Sequence, residues 1–121
     1  MKSLVLLVVA AVTASQALAD EQPIRISIAA GKLGELCMPL KAGDTLTWHF
    51  KASAATDFNL HHHVDKDVLM PVERKAITQD RAEHRVDRNN DWCLMWTAPA
   101  AQPVTVTGGW QVKKTLEPRT K

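Results

Sequence analysis

The sequence predicts an all-β fold, an antiparallel β-sandwich of the jelly-roll kind closed by one disulfide. Three observations predict it. Apolar and polar residues alternate with a period of two along several short segments. Turn residues (Gly, Pro, Asn, Asp) separate those segments at short intervals. Two cysteines follow an N-terminus built for export, and an even cysteine count in an exported chain reads first as a disulfide.

The N-terminus is read first because it is excluded from the fold. Lys2 gives a positive start, Leu4 to Val12 is an unbroken apolar run, and Ala17-Leu18-Ala19 supplies small residues at the positions a signal peptidase reads. This is the layout of a secretory signal peptide over residues 1–19, with cleavage after Ala19. The run is too short for a membrane anchor, which needs about 20 apolar residues. Residues 20–121 then form a single domain, periplasmic or secreted, with no second stretch able to span a bilayer. Lys2 is the one charged residue lost, so the formal charge of +2 falls by one. Acidic and basic residues are interspersed along the remainder, which gives no electrostatic case for nucleic acid or an anionic membrane as a partner.

About a hundred residues bury a core of modest margin, and four Trp add large apolar areas to it. Ile24, Ile26 and Ile28 alternate with Arg25, Ser27 and Ala29 in a first half-buried strand. Gly31 to Gly34 reads as a turn, Leu36-Cys37-Met38 as a short strand limited by Pro39, and Lys41 to Asp44 as a second turn. Thr45 to Ala52 puts Leu46, Trp48 and Phe50 on one face and Thr47, His49 and Lys51 on the other. Asp57 to Val64 alternates again as a separate strand, and Asp65-Lys66-Asp67 is a polar loop. Val68 to Val72 surrounds Pro71 and suits an edge or a loop. Glu73 to Arg88 has helix-forming composition, but Ala82, His84 and Val86 alternate with charges, so a hairpin strand is preferred. Trp92 to Thr97 is an apolar strand after the Asn89-Asn90-Asp91 turn. Val104 to Val112 is the last strand, with Gly108-Gly109 as a bulge or kink. A polar, frayed tail is expected from Lys113.

One segment has metal-binding chemistry. In a strand from Asp57 to Asp65, His61 and His63 project from the polar face with Asp57, Asn59 and Asp65, while Phe58, Leu60, His62 and Val64 share the apolar face. Imidazole is the commonest protein metal ligand, and a neighbouring carboxylate fixes its tautomer or completes the shell. Copper(II), zinc or nickel suits such a set, with His49 as a third ligand if its strand lies alongside and Asp65 as the carboxylate. The plainer reading is a solvated polar face, with His62 a packing residue. Met38, Met70 and Met95 are thioethers suited to copper(I), but no His follows Cys93 as a blue-copper site requires, and core and rim packing accounts for them. Cys37 and Cys93 as thiolate ligands are the alternative to a disulfide, although neither has a second Cys at zinc-site spacing. Trp92, Trp96 and Trp110 read as a ligand platform or, since Trp92 and Trp96 share a face, as core. No nucleophile–base pair, phosphate loop or zinc-protease motif is recognisable, so the expectation is a protein that is not an enzyme and has no certain cofactor.

The assembled segments resemble the GOLD-domain family, the luminal domains of early-secretory cargo receptors, and more closely small exported bacterial proteins of the same kind. The matching residues are Glu35-Leu36-Cys37-Met38-Pro39-Leu40, Gly43-Asp44-Thr45-Leu46 running into Trp48 and Phe50, Asp57 to His63, Trp92-Cys93-Leu94-Met95-Trp96 and Val104 to Thr107. The resemblance implies a compact antiparallel sandwich, and it implies a Cys37–Cys93 disulfide, because GOLD domains join an early and a late cysteine. It also implies a role in protein–protein interaction. The receptors' coiled coil and C-terminal transmembrane helix have no counterpart in the sequence. Two functions are therefore expected: a non-enzymatic binding module for an exported protein or ligand, and a periplasmic copper or zinc protein using His61, His63, His49 and Asp65.

Overall fold

A computed structural model describes residues 20–114. Residues 1–19, where a signal peptide is expected, and the end of the tail lie outside the described residues. Period-two alternation dominates the rest, and six strands result: β1 (Gln22–Ile28), β2 (Leu33–Leu40), β3 (Thr45–Val64), β4 (Asp67–Arg85), β5 (Asn90–Thr97) and β6 (Val104–Lys113). They form one antiparallel sheet in the order β1-β6-β3-β5-β2, with β4 paired to β3. The 73–91 region is strand up to Arg85, as the alternation of Ala82 and His84 indicated, and Val68 to Val72 lies in the same edge strand.

β3 organises the sheet. Two strands were expected between Thr45 and Val64, yet a single 20-residue strand runs through Ser53-Ala54-Ala55. No Gly or Pro stands there to force a turn, and the small side chains let the strand bend without breaking. Register shifts against β4 between Lys51 and Thr56 and between Thr56 and Phe58 mark the bend. Before it, Thr45–Ala52 pairs with β6; after it, Asp57–His61 pairs with β5. β4 follows β3 along both halves, so the sheet curls on itself.

The curl brings the apolar faces of the two halves together. Trp48 and Phe50 from the first half meet Phe58 and Trp96 from the second, with ring centroids 4.8–5.7 Å apart. Leu46, Leu60, Leu94, Trp96 and Val106 have no exposed surface. Trp92 and Trp96 are thus core, and Trp48 reaches a polar partner from within it by donating Nε1–H to Asp80 Oδ2 at 3.0 Å.

Two local expectations are corrected. Pro39 does not end its strand: β2 continues to Leu40, because among the described residues it is an edge strand paired with β5 alone and a missing N–H is tolerated there. Gly108-Gly109 forms no bulge, since β6 holds an unbroken register with β1 and β3 through both residues. Their role is close approach: a Cβ on Gly108 would collide with the His49 carbonyl and with Phe50 Cα. The tail is held further than expected, for β6 includes Lys113 and Lys114 Nζ lies 3.0 Å from Asp44 Oδ2.

Cys37 and Cys93 are directly opposed on β2 and β5, with Cα atoms 4.1 Å apart, and are joined in a disulfide. Neither is therefore a thiolate ligand in this state.

Candidate functional site

The outward face of β3 carries the histidines singled out above. His61 pairs with Cys93 of β5, and Cys93 pairs in turn with Cys37 of β2. Glu35, two residues before Cys37, is on the same face of β2. This row closes over His61, which is only 3 % exposed. Its Nε2 lies 2.9 Å from Glu35 Oε1 and its Nδ1 lies 2.7 Å from Asn59 Oδ1. Burial pulls its pKa below the ordinary histidine value, against the attraction of Glu35. A neutral ring donates Nε2–H to Glu35 and takes an N–H from Asn59 when that amide presents its nitrogen.

His63 is exposed, and its ring stands nearly perpendicular to that of His61 with centroids 5.3 Å apart. Asp65 occupies the β3–β4 turn at φ 55°. His49 is not with them. It lies on the other half of β3, opposite Gly109 and Arg81, with Nε2 paired to Glu21. Twelve residues of strand separate it from His61, roughly 40 Å of extended chain. Sequence reasoning placed these histidines on two strands that could have been neighbours, whereas they share one. It also missed Glu35. The ligand atoms of Glu35, His61 and Cys93 lie within 4.8 Å of one another, but the Cys93 sulfur is committed to the disulfide.

The inward face of the same strand ends differently. His62 is also 3 % exposed, and its ring stacks on Trp92 with centroids 4.0 Å apart. Neither ring nitrogen has a hydrogen-bond partner. Burial lowers its pKa first, and the nearby Arg88 guanidinium lowers it further. It sits in the mouth of the curled sheet, in a cavity of about 420 Å³ bordered by Leu69, Met70, His84, Arg85 and Arg88. Val68, Leu69 and Met70 are three of the four exposed large apolar residues among the described residues, at 41–46 % exposure. They lie at the tip of the β3–β4 hairpin, on a strand that pairs with β3 alone among the described residues.

The opposite wall of this mouth is pinned in place. Trp92 donates Nε1–H to the Arg88 carbonyl at 3.2 Å. Val86 exchanges backbone hydrogen bonds with Gly43 and Asp44, and Asn89 Oδ1 accepts from the Ala42 N–H. Asn90 donates to the His63 carbonyl at 2.7 Å. The loop between β4 and β5 is thus tied to both the β2–β3 turn and the end of β3.

No family model matches the chain, and no curated protein matches its sequence. Among solved structures, the fold is similar to the crystal structure of PliG from Aeromonas hydrophila, a periplasmic inhibitor of g-type lysozyme. The TM-score is 0.54 at 14 % sequence identity, over 80 % of this chain and 90 % of that one. At that identity the likeness is one of fold. Among the described residues no helix is long and apolar enough to cross a membrane.

Proposed function

We propose that this chain is an exported, non-enzymatic binding module whose partner is a protein. The observation that carries the reading is the exposed apolar run Val68-Leu69-Met70 at the tip of an edge strand. Clustered exposed apolar side chains mark an interaction site, and an open strand edge offers backbone groups to a partner. The disulfide supports an oxidising compartment, and with the signal-like N-terminus it supports export. The GOLD-like sandwich belongs to this reading as its account of the curled sheet.

The fold likeness to PliG names the partner to try first. The experiment titrates the mature chain, residues 20–121, into a g-type lysozyme and follows both direct binding and lysis of cell walls, beside a Leu69→Asp/Met70→Asp variant. The expected result is saturable one-to-one binding with slowed lysis, weakened at least tenfold in the variant. A tenfold loss is about 1.4 kcal/mol, about what burying one apolar side chain supplies. Binding that the variant leaves unchanged would overturn the hairpin tip as the contact surface, and absence of binding would remove lysozyme as the partner.

A second reading has its own observation. The neighbouring rings of His61 and His63, with Glu35 Oε1 2.9 Å from His61 Nε2, support a copper or zinc site in which Glu35 takes the carboxylate role first given to Asp65 and the ion displaces the His61–Glu35 hydrogen bond. Calorimetric titration with copper(II), zinc and nickel, beside His61→Ala/His63→Ala, tests it. Submicromolar one-to-one binding lost in the variant is the expected result, and tight binding retained by the variant contradicts it.

A further inference from the structure

The mouth of the curled sheet combines features that a packed core does not explain. His62 is almost completely buried, yet both its nitrogens lack partners. Buried polar groups in native proteins are nearly always satisfied, and an exception points to a water, an ion or a ligand. Each nitrogen has less than 1 Å² of exposed surface, so the ring floors the cavity, and its one donor and one acceptor are reached by a guest when the ring turns. A metal ion does not fit the demand well. His62 and His84 flank Trp92 with ring centroids 4.0 and 6.0 Å from it, and two arginines border the same cavity and repel a cation.

The charge around the cavity favours the opposite sign. Arg85 and Arg88 line it against one carboxylate, Asp87, which is already engaged by Arg88 Nε at 3.4 Å. Leu69 and Met70 supply an apolar rim on the hairpin side. Met70 has an unbranched chain that shifts readily to admit a guest. A volume of about 420 Å³ lies within the range of ligand-sized sites, and the pinned β4–β5 loop keeps the opposite wall preformed.

We propose that this mouth is the specificity pocket of the binding module, and that it receives a carboxylate carried beside an apolar side chain on a segment of the partner protein. The carboxylate accepts hydrogen bonds from the Arg88 or Arg85 guanidinium above the His62 ring, whose N–H joins them once the ring turns toward the guest, while the apolar neighbour packs on Leu69 and Met70. This rests on the protein-binding reading above and adds to it the chemistry that is recognised.

The test uses two capped dipeptides that differ only in charge, acetyl-Phe-Glu-amide and acetyl-Phe-Gln-amide, added to isotopically labelled mature protein at low salt. Imidazole and indole resonances of His62 and Trp92 are followed by NMR. The expected result is saturable shifts at both residues, with the acidic peptide bound about tenfold more tightly, as one charge-assisted hydrogen bond implies. Arg85→Gln/Arg88→Gln, a change to cavity-rim side chains, should abolish the preference while leaving the amide spectrum folded. Equal affinity for the two peptides, a preference that survives the double substitution, or shifts centred on Gln79 and Thr107 instead would each overturn the proposal. Lysozyme binding is scored separately. Binding there without any peptide preference sinks the pocket alone, and peptide preference without lysozyme binding leaves the pocket and removes that partner.

Discussion

His61 and His62 are adjacent in the chain and equally buried, at 3 % exposure each, but they meet opposite surroundings. His61 faces outward into a row built from three strands, where Glu35 and Asn59 occupy both its nitrogens. His62 faces inward against Trp92, where neither nitrogen is occupied. The difference teaches that burial alone does not identify a working histidine. The satisfied ring holds β2 to β3 through Glu35, whereas the unsatisfied ring floors an open cavity with both its nitrogens covered. The comparison can be pressed from both sides.

The largest effect is expected from the disulfide. Cys37→Ser/Cys93→Ser opens a loop of 56 residues in separation and should cost about 4 kcal/mol in urea unfolding on the chain-entropy model. Because that bond ties the strand carrying Glu35 to β5, the loss should free the His61 ring. It should leave the His62–Trp92 contact intact, since no residue bordering the mouth lies on β2. Imidazole NMR of the variant, under conditions where it remains folded, reads both rings at once. Loss of the His62 stack with His61 unchanged would reverse the comparison.

A smaller effect, with opposite signs at the two positions, is expected from leucine substitutions. His61→Leu strands Asn59 and the carboxylate of Glu35, and should cost about 1–3 kcal/mol. His62→Leu removes a buried group that has no partner, and its stacking loss offsets that gain. The expected change is therefore between zero and about 1 kcal/mol of added stability. The pH dependence sharpens this. Both pKa values are lowered in the folded state, by burial first in each case. The unfolded chain therefore binds more protons below about pH 6.5, and stability is complete above that pH and declines as pH falls through it. Glu35 is the second-largest influence at His61 and counters the shift, whereas at His62 the Arg88 guanidinium adds to burial ahead of the opposing Asp87, so His62→Leu should flatten the acid-side slope. Urea midpoints at neutral and mildly acidic pH measure it, and a slope unaltered by His62→Leu would contradict the assignment.

Much of this arrangement was legible in the residues. Alternation identified the inward set Leu46, Trp48, Phe50, Phe58 and Leu60, and it put His61 and His62 on opposite faces. Cysteine count and export gave the disulfide. The strand alternation in Ala82 and His84 was enough to favour strand over helix against the local composition. What the residues withheld depends on neighbours distant in sequence. The bend of β3 through Ser53-Ala54-Ala55 looks like a break because small residues mark neither strand nor turn. His61 reads as exposed until the register of β5 lays the disulfide and Glu35 over it; the clue available was that a Cys37–Cys93 bond makes β2 and β5 neighbours and so brings Glu35 along. His62 reads as a packing residue, which it is, but whether its nitrogens find partners is decided by which side chains the curl delivers to the mouth. Arg85 and Arg88 read only as solvated charges in a polar segment.

The central claim is that binding happens at the mouth and the hairpin tip rather than on the outward histidine face or around His49. Hydrogen exchange followed by mass spectrometry, on the mature chain with and without a g-type lysozyme, addresses it directly. The account predicts slowed exchange in Asp67–Val72 and in residues 86–91, with residues 105–111 of β6 unchanged. Protection centred on β6 and the His49 segment, or none at the hairpin tip when the lysozyme is bound, would contradict it.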